Sequence, residues 1–565
     1  MRRTRIGRVL ALDLRRALAG APAWSLGALL LLLPFEPRRP TLGIAGLQVT
    51  LLELLAAACL ALLAAGVWPR AAALIRRPPL PLLFLLAYAA AHLLSAAFAA
   101  ESAGAAFKFS LRMLAMAGFA LLVAAAPGPA RRAGLTGLAA AGALVAVLAV
   151  LEGMGLRQLD PLLARFREMP FNVAGTRRAS AGSEYPNLAA AFIMYGLLAA
   201  LPRLGNRAAA LGTYALLAVL GMLFTYSRGA LGAALVGLLS LAGALGPRTR
   251  AARAPLAAAL VLLLASSAFA WRGEAFRLRL ASEGTSAWYA ASYEPGETSL
   301  TLSPGEERTT LVRVTNSGLK AWRVEEQFHL SYHWYDTERR FLTDGPRTLL
   351  PRDMAGGDSI QLAALVRAPL AEGRYLLVWD MVHERTTWFS GQGVAPASVP
   401  VRVASGAGRA AAPAPEQAPP GAALAWRPSR WELWSLALGM WRERPLTGVG
   451  PDNFRRLYGP RAGRPYWDAR VYANNTLLEA AATTGSLGAL ALGGGLLASL
   501  ALGLRRARAA APQAAAGQAA LAAFALVAGI AAHGVVDYVL AFTGHYLVFG
   551  FAVGAVAAPS SEDEA

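Results

Sequence analysis

Runs of about twenty apolar residues recur along this chain, and no other feature restricts its fold as much. A stretch such as Leu51 to Trp68 has the length of a hydrocarbon core and carries one carboxylate. Twelve such runs can be placed, at 22–35, 43–68, 79–100, 108–126, 133–152, 186–202, 208–226, 229–246, 254–271, 476–504, 516–536 and 541–558. A bilayer offers the backbone no water, so each run must satisfy its own amides, and helices are predicted. The fold class is therefore mainly α: a polytopic membrane helix bundle of about 12 spans, in which 56% of the 565 residues are apolar.

The charge pattern assigns sides. The formal charge of +20 is carried almost wholly by arginine, since Lys108 and Lys320 are the only lysines. Short clusters at Arg70/Arg76/Arg77, Arg131/Arg132, Arg203/Arg207, Arg248/Arg250/Arg253 and Arg505/Arg506/Arg508 fall between alternate runs, on the side of the Arg-rich N-terminus. Cytoplasmic loops are biased in this way, so both termini are expected in the cytoplasm and no nucleic-acid partner is implied. Met1 to Arg16 reads as a basic cytoplasmic helix, because no cleavage site follows it. The single cysteine, Cys59, lies inside an apolar run, so no intramolecular disulfide can form and no Cys/His metal cluster is suggested.

Three exterior pieces follow from this topology: 153–185, the turn Thr225-Tyr226-Ser227-Arg228-Gly229, and everything from Arg272 to about Asn475. They too are rich in arginine, against the usual bias, and an anionic ligand is the simplest explanation. A guanidinium at the junction of two spans is costly unless it meets an anion or a carboxylate, which makes Arg228 a functional candidate.

The long exterior piece changes character. Period-2 alternation appears between 292 and 403, in runs at 299–302, 309–315, 328–335, 359–366, 374–382 and 398–403, with turns such as Asn316-Ser317-Gly318 and Asp344-Gly345 between them. In 330–335, Leu330, Tyr332 and Trp334 share one face, and Ser331, His333 and Tyr335 share the other. An all-β, Ig-like sandwich inserted in a periplasmic loop is predicted for 292–403, with Trp334, Trp379 and Trp388 in its core. Residues 404–426, rich in Ala, Pro and Gly, form a flexible linker. Ser429-Arg430-Trp431-Glu432 is a capping box opening an amphipathic helix in 427–475, with Trp431, Trp434, Leu438 and Trp441 on one face. The bundle thus divides into a first part, 1–271, and a last part, 476–558.

Four exterior signatures then align. They are Arg177-Arg178-Ala-Ser-Ala-Gly182 with Tyr185-Pro186-Asn187; the Arg228 turn; Arg430-Trp431 running to Trp441-Arg442 and Thr447-Gly448-Val449-Gly450-Pro451-Asp452-Asn453-Phe454; and Asn474-Asn475-Thr476 with Glu479 and Thr484-Gly485-Ser486, joined by His533 and Asp537 near the C-terminus. In order and spacing, over about 170–245 and 427–555, this set resembles the O-antigen ligase and O-antigen polymerase superfamily of bacterial envelope proteins. The resemblance implies a metal-independent glycosyltransferase of the bacterial inner membrane, using no cofactor. It would move a glycan from an undecaprenyl-diphosphate carrier to lipid A-core or another glycan hydroxyl on the periplasmic face, with inversion at C1.

Arginines suit that chemistry, because negative charge grows on the departing diphosphate and preorganised guanidiniums stabilise it. Arg228, Arg430, Asn474 and Asn475 are the expected catalytic positions. Arg177, Arg178, Glu184, Asn187, Arg442, Glu479, His533 and Asp537 are expected to bind substrate. The chain departs from the family where Asn474 replaces a histidine regarded as the general base, since an amide cannot take a proton. Glu184, Asp452 and Glu479 are the alternatives, or a late proton loss that needs no strong base. Polymerase and protein O-oligosaccharyltransferase chemistry, a lipid-linked glycan flippase and a non-catalytic scaffold are the rival readings.

Overall fold

The computed structural model describes residues 22–39, 41–44, 47–167, 170–173, 176–204, 207–246, 249–281, 287–338, 340–384, 386–405, 428–464 and 467–559. The basic N-terminal helix, Arg248 and nearly all of the expected 404–426 linker lie outside the described residues. The helices are α1 (Pro22–Leu32), α2 (Leu51–Arg76), α3 (Leu80–Ala96), α4 (Ala103–Ala125), α5 (Gly128–Gly153), α6 (Asp160–Leu163), α7 (Pro186–Leu204), α8 (Ala208–Thr225) and α9 (Arg228–Leu245). They continue with α10 (Arg253–Arg272), α11 (Glu274–Ala281), α12 (Arg430–Glu443), α13 (Phe454–Arg461), α14 (Thr476–Ala509), α15 (Ala515–His533) and α16 (Thr543–Ala557).

Every predicted apolar run contains a helix. Among the described residues, eight are long and apolar enough to cross a membrane by length and composition, namely α2, α4, α5, α7, α9, α10, α14 and α15. This is a membrane protein. The runs at α1, α3, α8 and α16 form shorter apolar helices.

The run predicted from residue 43 starts later, because Thr41–Ile44 (β1) and Leu47–Thr50 (β2) pair as a hairpin. A capping box then opens α2: the Glu53 amide donates to Thr50 Oγ1 at 3.2 Å, and the Thr50 amide donates to Glu53 Oε2 at 2.9 Å. Two of the arginine clusters bond to neighbouring helices of the bundle. Arg203 Nη2 donates to Thr136 Oγ1 at 2.7 Å, and Arg506 Nη1 to the Val556 carbonyl at 2.6 Å.

A separate β region follows α11, after Phe171–Val173 (β3) and Thr176–Arg178 (β4) have formed a small hairpin in the 153–185 segment. Its strands are β5 (Ala291–Pro295), β6 (Leu300–Leu302), β7 (Glu307–Asn316), β8 (Phe328–Asp336), β9 (Phe341–Asp344), β10 (Thr348–Leu349), β11 (Ser359–Arg367), β12 (Gly373–His383), β13 (Thr387–Trp388) and β14 (Ala397–Val403). All six predicted strands are present. One sheet runs β11-β7-β5 and the other β10-β8-β12-β14-β6, with β9 on β8, β13 on β12, and β14 parallel to β6. Hydrogen bonds tie the sheets face to face, from the Arg367 amide to Tyr332 Oη (2.8 Å) and from the Met381 amide to Tyr293 Oη (3.0 Å).

Trp334 and Trp379 are buried in this core as expected, and so is Trp288, which lies before the predicted boundary at 292, whereas Trp388 is only half-buried, because β13 sets it over His333 on the opposite face of β8. The second face of β8 is not a solvated one. His333 is buried beneath Trp388 and donates from Nδ1 to Asp344 Oδ1 at 2.7 Å, because β9 and β13 cover that side.

Gly485 breaks α14 with φ 65°, and a Cβ there would lie 2.3 Å from the Leu446 carbonyl. The 445–450 loop is pressed into this kink by amide bonds from Val449 to Ala482 O (2.9 Å) and from Ser486 to Pro445 O (2.7 Å). These motif glycines therefore serve a backbone crossing that seats α12 on α14. The capping box of α12 forms, but its buried face is Leu433, Ala437 and Met440, and Trp431 is 70% exposed. The predicted aromatic face is corrected by one turn position: Trp434 and Trp441 are half-buried, and Trp441 Nε1 reaches Ser486 Oγ at 3.0 Å.

Candidate functional site

One end of the bundle is organised by the turn 534–538 between α15 and α16. Its carbonyls collect donors from two other elements, the start of α14 and the start of α12. The Thr476 amide donates to Gly534 O at 2.7 Å, Asn475 Nδ2 to Val535 O at 2.9 Å, and Arg430 Nε to Val536 O at 3.1 Å. Asp537 Oδ2 accepts from Asn187 Nδ2 at 3.0 Å, and Asn187 Oδ1 accepts from Arg178 Nη2 at 2.9 Å. Arg178 is oriented a second time by a 2.9 Å bond from its Nε to the Thr225 carbonyl.

The α8–α9 turn is reversed by Tyr226 in the left-handed region (φ 55°), so that Arg228 becomes the first residue of α9. Gly229 lets this turn sit against 533–536, since a Cβ there would lie 2.9 Å from Val536 Cγ2. The four signatures thus meet in space, although hundreds of residues separate them.

Sequence reasoning missed one contributor. Arg228 Nη1 donates to Leu280 O at 3.3 Å, which places the end of α11 over the site and brings Arg279 with it. Phe276 packs edge-on or tilted against Phe269 and Tyr226, fixing α11 on the bundle. The other end of α11 is clamped to the β region, where Lys320 Nζ reaches Glu274 at 2.9 Å and Glu326 at 2.6 Å. Only the amphipathic arginine spacing of 272–279 hinted at this.

The electrostatics are unbalanced. Burial, then the charges of Arg279 and Arg228, push the Arg178 guanidinium well below its ordinary value, with Asp537 opposing. Arginine does not give up its proton, so this pressure remains as a desolvation cost with a smaller repulsion between guanidiniums, and an anion would relieve both. The N-terminal ends of α7, α9, α12 and α14 also converge here, at Asn187, Arg228, Arg430 and Asn475, and each adds partial positive charge. Beside the cluster lies His533, fully buried, with Nε2 3.9 Å from Asp537 Oδ2. Neither ring nitrogen has a hydrogen-bond partner among the described residues.

Other predicted site residues are placed elsewhere. Arg177, next to Arg178, turns into a closed ionic group with Glu152 and Asp160, because β-strand alternation sends adjacent side chains to opposite faces. Arg442 is exposed twelve residues along α12 from Arg430, about 18 Å at 1.5 Å per residue. Glu184 is exposed at the rim of a different cavity.

Glu479 is buried, accepting from the Ala473 amide at 2.8 Å, and Asp452 is held in a bidentate pair by Arg455. Neither joins the arginine cluster. Asn475 is the N-cap of α14: Oδ1 accepts from the Leu477 and Leu478 amides and Nδ2 is bonded to Val535. It is therefore committed to architecture. Asn474 sits beside it in the left-handed region (φ 51°). Among the described residues no group of three His, Cys, Asp or Glu could hold a metal ion. No family model matches the chain, and a search of curated proteins finds no match.

Proposed function

We propose that this chain is an O-antigen ligase-like glycan transferase of the bacterial inner membrane, with about twelve spans, cytoplasmic termini and a periplasmic Ig-like sandwich. Its donor is a glycan on undecaprenyl diphosphate and its acceptor a hydroxyl of lipid A-core. The observation that carries this reading is the convergence of Arg178, Arg228, Arg279 and Arg430 with four helix N-termini at one end of an apolar bundle. A lipid-borne diphosphate has the charge that guanidiniums and helix N-termini attract and the tail that such a bundle accepts.

The acceptor hydroxyl oxygen attacks C1 of the donor sugar, the C1–O bond to the diphosphate breaks, and both bonding electrons leave with the phosphate oxygen. Fixed guanidiniums stabilise that growing charge without reorganising. The hydroxyl proton passes to the His533 imidazole, whose new charge faces Asp537. Asn474 cannot serve as base, because an amide takes no proton at neutral pH.

The test is a reaction of purified protein and lipid-linked glycan with lipid A-core, with more lipid-linked glycan, or with a peptide. Extension of lipid A-core is expected. Extension of the other two would reassign the chain to polymerase or protein glycosylation. No transfer to any acceptor would sink the enzymatic reading in favour of a flippase or a scaffold.

A further inference from the structure

A second polar cavity lies beside the arginine cluster, on the other side of the first turn of α7. It has a volume of about 280 Å³, and is walled by the 33–38 segment, α4, α7 and the start of α16. Asn187 faces the arginines while its neighbour Leu188 lines this cavity, so the first turn of α7 stands between the two.

Its chemistry differs from that of the cluster. Carboxylates and guanidiniums are matched, with Glu36 and Glu184 beside Arg38 and Arg112, and Arg112 is itself paired with Glu53 at 2.8 Å. A balanced lining gives a polyanion no advantage. Two buried polar atoms on the lining, Ser183 Oγ and His545 Nε2, have no hydrogen-bond partner among the described residues, at residue exposures of 5% and 2%. Glu36 accepts from Thr50 at 2.6 Å and Thr543 at 3.3 Å, both on Oε1, so Oε2 accepts no hydrogen bond among the described residues. Phe166 and Phe542 supply ring faces.

Unsatisfied donors and acceptors in a buried site point to a ligand that completes them. Carboxylate, hydroxyl and imidazole groups with aromatic faces fit a neutral polyhydroxylated ring, and the volume is at the small end of ligand cavities, roughly 300–1,000 Å³. We propose that this cavity is a subsite for one neutral pyranose ring of a glycan substrate. The ring's hydroxyls bond Glu36, Ser183 and His545. The assignment deepens the transferase reading, but it rests on a different set of side chains.

The probes are methyl glycosides of glucose, galactose, mannose and N-acetylglucosamine, read by saturation-transfer NMR on the full chain in an amphipol without sugar head groups. Farnesyl diphosphate is the probe for the arginines. At least one glycoside is expected to bind, with affinity about tenfold weaker in Glu36→Gln and abolished in Ser183→Leu. Arg228→Gln should leave the glycoside bound and release farnesyl diphosphate.

Glu36→Gln keeps the test decisive if Ser183→Leu does not fold. Displacement of the glycoside by a carrier-linked disaccharide would assign the ring to the donor, and continued binding would assign it to the acceptor. Absence of any bound glycoside, binding unchanged in Glu36→Gln, or loss of glycoside in Arg228→Gln would overturn the subsite. Farnesyl diphosphate binding unaffected by Arg228→Gln would instead overturn the diphosphate site and leave the subsite standing.

Discussion

Arg177 and Arg178 are neighbours in the chain and belong to two arginine groups of opposite design. Arg177 joins Arg167, Glu152, Asp160 and Ser180 in a group where every guanidinium meets a carboxylate and the Glu152 carboxylate also accepts from the Ser180 and Ala181 amides at 2.9 and 3.0 Å. Arg178 lies with Arg228, Arg279 and Arg430 in a group where Arg178, Arg228 and Arg430 donate to backbone carbonyls and Arg178 also to Asn187, which joins it to Asp537. The first is complete and holds a loop in shape. The second gathers guanidiniums around backbone carbonyls at the meeting of several helix N-termini. The kind of partner, rather than the presence of arginine, separates the two groups.

The comparison is broken most directly at Glu152. Glu152→Ala strands the buried Arg167 and is expected to cost about 3–5 kcal/mol of stability, seen as a lower melting temperature in detergent. A melting temperature equal to the parent's would mean the closed group is not structural. Arg228→Gln should do the reverse: stability unchanged or slightly raised as repulsion falls, and transfer activity down about 10²–10³-fold. Loss of fold with loss of activity would erase the distinction between the groups.

Arg279→Gln tests whether α11 belongs to the open group. About a tenfold weaker affinity for farnesyl diphosphate is expected, near 1.4 kcal/mol, measured by titration calorimetry. Asn475→Ala removes a cap and the bond to Val535, so a loss of about 1 kcal/mol in melting experiments is expected, with KM moving less than stability.

The smallest effect is that of pH on the closed group. The hydrogen bond from Arg177, with its charge, holds the half-exposed Asp160 below its ordinary carboxylate value. Its contribution is therefore present above the unfolded pKa and is lost as pH falls through the folded one. Stability should decline below about pH 4 by less than about 1 kcal/mol relative to Asp160→Asn, because solvent screens the pair. Equal acid sensitivity in both proteins would remove Asp160 from the group.

Much of this architecture was legible in the chain. Apolar runs dictate helices wherever water is excluded, and all twelve contain one; alternation in 299–403 marks six strands that form. The capping box at Ser429 follows from side-chain chemistry within three residues. These features depend on neighbours in sequence, which is why sequence reports them.

The partition of the arginines was decided only by tertiary structure. Nothing local separates Arg177 from Arg178, or distinguishes Arg279 from the other basic residues of 272–279. The role of Arg177 depends on a carboxylate 25 residues away at Glu152, the placing of Arg279 on a bond from Arg228 to Leu280, 52 residues apart, and the role of Arg178 on Asn187, whose partner Asp537 is 350 residues further on. Coulomb energy depends on distance in space, and chain order does not encode that distance until the helices have packed.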